Sequence, residues 1–276
     1  MLRNAKEMEG YAVGATDGVI GHVKDFYFDD AAWVVRYLVV DTGGWLSSRK
    51  VLVSPIAIGS PNWEQKLLPA SISQEQVRNS PDIDTDQPVS RQHEMTYSSY
   101  YGYPYYWGGA GNWGGGMYPN LMMPGYAGVG STDMIAGEGE REMARREASR
   151  HEHDDPNLRS CNAVAGYHIH ASDGDIGHVA GMLIDDQTWS VRYLVVDTSN
   201  WWLGHQVLVS PQWIKSVDWS DESVTVSMTR QAVKDAPAYD PQAAPDRAEE
   251  DRLYRHYGQT DYWSGYPVPE TDISRI

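Results

Sequence analysis

The sequence predicts a mainly β protein: two tandem small β-barrels, each with a short C-terminal helix and an aromatic tail. Three observations lead there. Motifs of the first half return in the second at one constant spacing. Within each copy, short apolar runs alternate with turn signals. A unit of about 100 residues is too long for a solenoid repeat and long enough to be a domain.

The repeat reads directly from the chain. DGVIGHV (Asp17 to Val23) returns as DGDIGHV (Asp173 to Val179). VRYLVVDT (Val35 to Thr42) returns unchanged at Val191 to Thr198, and VLVSP (Val51 to Pro55) at Val207 to Pro211. Each pair is 156 residues apart, without a gap. Trp63, Val77 and Pro81 meet Trp219, Val233 and Pro237, and the tail residues Tyr101, Gly102, Tyr106 and Trp107 meet Tyr257, Gly258, Tyr262 and Trp263. The expected organisation is a first unit over 8–109, a Gly/Met-rich then charged linker over 110–163, and a second unit over 164–265.

Asp17-Gly18 and Asp173-Gly174 mark tight hairpin turns. Ile20 to Phe28 and Ile176 to Ile184 read as the second strand, and Asp29-Asp30 and Asp185-Asp186 open the next turn. The third strand starts at Trp33 and Trp189. Trp33, Val35, Tyr37 and Val39 form its period-2 face, but Leu38 and Val40 make the opposite face apolar as well. A strand apolar on both faces is covered on both. One cover is the barrel interior; the other is a helix, a tail or the sister unit.

Val51 to Ser54 and Val207 to Ser210 form a further strand, stopped by Pro55 and Pro211. Val224, Val226 and Met228 alternate cleanly in the second copy. Leu68, Ala70 and Ile72 stand there in the first, interrupted by Pro69, so that strand is frayed or at an edge. Ser73 to Gln76 has the form of a capping box, and Thr229 can cap the sister helix. Pro81 and Pro237 stop both helices.

The tails, 97–130 and 254–266, are rich in Tyr, Trp and Gly. Low complexity suggests flexibility where they stand alone. Matched aromatics suggest instead that each tail docks on a barrel, its own or the sister's. Glu138 to Arg150 reads as a solvated charged linker rather than a docked helix.

The chain has 276 residues, 41% hydrophobic and 22% charged, with 22 Lys and Arg against 38 Asp and Glu and a net charge of −16. Such an acidic surface repels phosphate backbones and anionic membrane, so no nucleic-acid partner is expected. No stretch approaches the roughly 20 apolar residues of a membrane span. Met1 to Gly10 lacks the apolar core of a secretory signal. The lone cysteine, Cys161, makes no internal disulfide, and the cytoplasm is the expected location.

No catalytic residues are expected. No G-x-S-x-G elbow, phosphate loop or dinucleotide fingerprint occurs. Asp41 and Asp197 end the third strand, where a carboxylate most simply accepts backbone N–H bonds. His22 and His178 recur as outward strand residues or structural hydrogen-bond partners, with a pH-sensitive contact as the alternative. Cys161 reads as an ordinary linker cysteine beside Arg159. No metal site and no cofactor are expected. The nearest metal candidates are His168 with His170, two apart on one strand face, and His151 with His153 in a linker. Real sites need three or four convergent ligands. For partner binding the candidates are Trp45, Trp201 and Trp202, in a loop after the third strand, and then Trp33 and Trp189, which core packing explains as well.

These motifs resemble the PRC-barrel family, shared by the cytoplasmic domain of photosynthetic reaction-centre H subunits and the C-terminal domain of the ribosome-maturation factor RimM. The resemblance is carried by Gly21-His22-Val23, Asp29-Asp30, the strand from Val35 to Trp45 and VLVSP at Val51. In the second copy it is carried by Gly177-His178-Val179, Asp185-Asp186, Val191 to Trp202 and VLVSP at Val207. The chain lacks the transmembrane helix of the H subunits and the separate N-terminal barrel of RimM. The resemblance implies a bacterial, non-enzymatic docking or scaffold module with an unknown protein partner. The alternatives are a peripheral accessory subunit of a photosynthetic or electron-transport complex, and a RimM-like ribosome-maturation role. The two units are expected to face each other as an intrachain pseudo-dimer, with a homo-oligomer also open.

Overall fold

The computed structural model describes residues 1–81, 89–108, 111–122, 158–198 and 206–264. These form two sheets that share a five-strand connectivity, to which the second unit adds one strand. In the first unit the strands are β1 (Leu2–Asn4), β2 (Ala12–Ala15), β3 (Gly18–Asp29), β4 (Val34–Asp41), β5 (Lys50–Val53) and β6 (Leu67–Pro69). The second has β7 (Leu158–Ser160), β8 (His168–Ala171), β9 (Gly174–Asp185), β10 (Val191–Asp197), β11 (Gln206–Val209), β12 (Ile214–Asp218) and β13 (Ser223–Val226). The sheet orders are β5-β4-β3-β2-β6 and β11-β10-β9-β8-β13-β12, and β2–β6 and β8–β13 are parallel pairs. Both are open paths among the described residues, so the closed barrels expected from sequence are not shown. The chain turns at Pro55–Ala57 and Pro211–Trp213, single 3₁₀ turns whose prolines donate no ladder hydrogen bond.

The leading strand of each unit pairs with the other unit. β1 lies antiparallel to β9, with Leu2 opposite Asp185 and Asn4 opposite Leu183. β7 lies antiparallel to β3, with Leu158 opposite Asp29 and Ser160 opposite Tyr27. The reason is a vacancy on each long strand. β2 covers β3 only from Gly18 to His22, leaving the same edge open at its far end. Exchange fills that edge and satisfies its backbone groups. This extends the repeat beyond its expected start: Leu2 and Arg3 match Leu158 and Arg159 at the same offset of 156. It also gives structure to part of the expected 110–163 linker, where Leu158–Ser160 is a strand and Cys161–Val164 a helical turn.

Gly21 and Gly177 explain the GHV motif. A Cβ at either would lie 2.0 Å from the carbonyl oxygen of Asp41 or Asp197 on the neighbouring strand. Only glycine permits that approach.

Val34 to Val40 is buried throughout, as its two apolar faces require. Behind it lies a helix. The segments Arg91–Tyr101 and Arg247–Tyr257, which lead into the tails, are helices that the sequence reading did not expect. Each helix docks on its own unit's sheet, whereas Asn112 and Trp113 of the first tail bond to the sister unit at Ser190 and Thr188. The short helices Gln74–Arg78 and Arg230–Lys234 occur as expected, the first with a full capping box on Ser73, the second capped by Thr229.

Candidate functional site

The polar residues that recur at offset 156 converge at one place in each unit. Glu94 sits one turn into the helix Arg91–Tyr101 and faces the sheet, only 2% exposed. Its Oε1 accepts from Tyr106 at 2.7 Å and from Tyr37 at 3.3 Å, and its Oε2 accepts from Arg91 at 2.8 Å. Burial pushes the Glu94 carboxyl up to about 7, although Arg91 and the Tyr106 hydroxyl oppose the rise. Glu250 repeats this geometry. Its Oε1 accepts from Tyr193 and Tyr262, both at 2.8 Å, and its Oε2 from Arg247 at 3.0 Å. Asp29 and Asp185 add a second layer. One oxygen of each binds backbone N–H groups of the following turn; the other binds Arg36 at 3.1 Å or Arg192 at 3.2 Å. Burial alone would raise the Asp185 carboxyl, but its N–H partners and Arg192 hold it below the ordinary value.

This arrangement docks a helix. Its carboxylates are spent on phenols, guanidiniums and turn N–H groups, and aromatic faces cover the cations. Arg36 lies 3.8 Å from the Tyr106 ring centre and Arg192 lies 4.0 Å from that of Tyr262. Sequence reading passed over Glu94 and Glu250. Their signal was present, because both recur at offset 156 three residues after a recurring arginine, Arg91 or Arg247.

The units meet along a seam centred on Trp33 and Trp189. Both have positive φ, 54° and 59°. Val35 N–H donates to the Trp189 carbonyl at 2.8 Å, and Val191 N–H to the Trp33 carbonyl at 2.7 Å. Trp189 is 3% exposed and packs near Phe26 of the other unit; Trp33 is half-buried and stacks on Phe28 at 5.1 Å. These two tryptophans therefore join the units to each other. Arg3 and Arg159 reinforce the seam. Arg3 lies 4.1 Å over Trp63 of its own unit and pairs with Asp186 of the other at 3.8 Å. Arg159 lies 4.4 Å over Trp219 and pairs with Asp30 at 2.9 Å.

Trp45 is half-buried in the turn Gly43–Leu46, and its indole N–H donates to the Ile20 carbonyl at 2.6 Å. It is pinned to β3 rather than freely displayed. Trp201, Trp202, His151 and His153 lie outside the described residues. His168 is exposed and pairs across strands with His178, while His170 Nδ1 lies 2.5 Å from Asp175. Among the described residues no three His, Cys, Asp or Glu side chains gather to hold a metal. Asp41 accepts the Gly43 N–H at 2.9 Å, the turn role expected of it. Cys161 is buried in the helical turn after β7, not in a linker, and burial pushes its thiol well above the ordinary value. Such a thiol is unreactive.

Among the described residues, two recesses border the seam. The larger, about 950 Å³, is bordered by Trp63, Pro69, Tyr118, Leu121, Asp186 and Trp189, with Tyr118 and Leu121 well exposed. A smaller one, about 360 Å³, lies beside Trp33 and Arg192 and is bordered also by Asn112 and Met117.

Comparison with known proteins fits this geometry. Residues 3–60 match the family model of the PRC-barrel domain, from the exchanged strand β1 past the turn at Pro55. A protein of Deinococcus radiodurans, described as an uncharacterized protein, is 32% identical over 81 residues. Those residues make up 29% of this chain and 29% of that protein, so the chain spans under a third of the relative it matches. No helix among the described residues is long and apolar enough to cross a membrane.

Proposed function

We propose that the chain is a non-enzymatic, cytoplasmic protein-binding scaffold, built from two PRC-barrel-type units that share one seam. The observation that carries this reading is where the recurring ionisable groups go. Glu94, Glu250, Asp29 and Asp185 are spent on holding helices and turns in place. What the fold presents outward is recessed, aromatic-bordered surface along the seam. Recesses with aromatic and arginine borders are the usual anchor points of protein interfaces. The acidic chain, at −16, favours a basic partner surface.

Affinity capture of the full chain from its host, followed by native mass spectrometry, tests the reading. The expected result is a discrete protein partner at defined stoichiometry, weakened when Trp201 and Trp202 are replaced by Ala. A reaction-centre or electron-transport complex, or a ribosomal protein, would identify which form of docking applies. A co-purifying small molecule that the protein converts chemically would overturn the reading.

A further inference from the structure

The seam carries two matching receptor sites, and among the described residues the chain fills one of them itself. At the first, Arg36 rests on Tyr106 and faces Trp113 at 5.1 Å, and its Nη1 donates to the Asn112 carbonyl. Trp113 is 1% exposed. Its indole N–H donates to the Thr188 carbonyl at 3.0 Å, and Asn112 Nδ2 to Ser190 Oγ at 3.1 Å. Pro119–Met122 then packs beside Pro55–Ala57.

Moving the receptor residues by 156 positions gives Arg192, Tyr262, Ala32 and Pro211. These four residues, with Trp33 and Gln212, border the open 360 Å³ recess. Arg192 lies flat on Tyr262, as Arg36 lies on Tyr106. Its Nη2 bonds to Asp185 and Thr188, and among the described residues its Nη1 bonds to nothing. Its Nε is buried without a partner, as is that of Arg36 at the filled site. The Ala32 carbonyl, which matches the acceptor of the Trp113 indole, also has no donor among the described residues. The guanidinium, its aromatic cover and the carbonyl acceptor are thus kept in both units, whereas Val34 stands where Ser190 accepts from Asn112. The plug is not: Asn112-Trp113 corresponds to Val268-Pro269.

We propose that this second recess binds an extended segment of a partner protein. The segment carries a Trp or Tyr ring that lies on Arg192 and donates to the Ala32 carbonyl. The backbone carbonyl just before that ring accepts from Arg192 Nη1. The proposal rests on the protein-binding reading and gives it a ligand class. Asn112-Trp113 is the template, because the same receptor already selects it. An aromatic ring on a guanidinium, with its polar atom paired, is an efficient anchor.

The test uses a fluorescein-labelled peptide of the chain's own residues 109–117 and the full-length protein, read by anisotropy. The expected result is saturable binding of one peptide per chain. Replacing the peptide Trp by Ala should weaken it at least tenfold. So should Gln212→Trp, which fills the recess while leaving the Arg192–Asp185 pair intact, and Arg192→Lys, which keeps charge but removes the flat face. Absence of saturable binding, or equal binding by Gln212→Trp, overturns the proposal. If a chain ending at Ser264 binds the peptide tenfold more tightly, residues 265–276 are the occupant, and the partner assignment falls. Captured partners indifferent to Gln212→Trp would sink this proposal and leave the scaffold reading standing. Capture of no protein would remove the reading itself.

Discussion

Glu94 is a carboxyl group held among two phenols and an arginine, with its proton affinity raised by burial to about 7. A raised acid has a definite linkage sign. Its folded form keeps a proton that the unfolded chain, near 4.5, has lost. Its contribution is fully present below the unfolded value and is lost as pH rises through about 7, by up to about 3 kcal/mol. Glu94→Gln mimics the protonated group. The melting temperature of wild type relative to Glu94→Gln should therefore fall between pH 5 and pH 8, as thermal unfolding at several pH values will show; a flat difference would mean the carboxyl is not raised. Gly21 makes a second residue-scale prediction. Gly21→Ala drives a methyl group into the Asp41 carbonyl and should cost about 3 kcal/mol in denaturant unfolding. Gly10→Ala meets no atom within 4 Å and bears only the strain of φ +79°, about 1 kcal/mol.

At the scale of elements, the strands were legible and the tail helices were not. GHV, VRYLVVDT and VLVSP give alternating or doubly apolar runs bounded by Gly, Asp and Pro, which is the sequence form of a strand. The tail helices hide their pattern. Their buried faces are Glu94, Tyr97, Ser98 and Tyr101, and Glu250, Leu253, Tyr254 and Tyr257, spaced i, i+3, i+4, i+7. The spacing is helical, but most of these side chains are polar or phenolic, and Tyr and Ser are weak helix formers. They become helical because the outer face of β4 or β10 needs a cover, and Tyr97 supplies it by packing edge-on to Tyr37 at 5.1 Å. The same reasoning applies to Trp113, which looked like part of a Gly-rich tract and is buried against Arg36. Trp113→Ala should lower stability by about 3 kcal/mol through lost burial. Tyr118→Ala, five residues on and well exposed, should change it by less than about 0.5 kcal/mol. Chemical denaturation of the two variants makes the comparison.

Across the whole molecule, the recurrence of motifs at offset 156 was legible and strand exchange was not. β1 is Leu-Arg-Asn and β7 is Leu-Arg-Ser, three residues each, too short to carry a period. Because the two units repeat the same residues, β1 could pair with β3 or with β9 through equivalent contacts. Sequence cannot separate these pairings; connection geometry decides. The exchange makes each unit depend on the other, so Arg3 and Arg159 each touch a tryptophan at home and a carboxylate abroad. It also places Trp33 and Trp189 at the junction, where paired backbone bonds hold both in a left-handed conformation that a lone tryptophan would avoid. Candidate binding residues read from sequence were thus partly used up in building the seam. The recesses beside them belong to neither unit alone.

The most direct measurement of this exchange is a cross-strand disulfide in a cleavable chain. Cys161 is first replaced by Ala, the residue type its counterpart Ala5 already uses. A protease site is placed between residues 123 and 157, and Cys pairs are introduced at Asn4 with Leu183, or at Asn4 with Tyr27. Exchange predicts that Asn4→Cys/Leu183→Cys oxidises readily, so that the cut fragments run together without reductant and separate with it. Ready oxidation of Asn4→Cys/Tyr27→Cys instead, with fragments that part after cleavage, would show each unit keeping its own leading strand and would contradict the account.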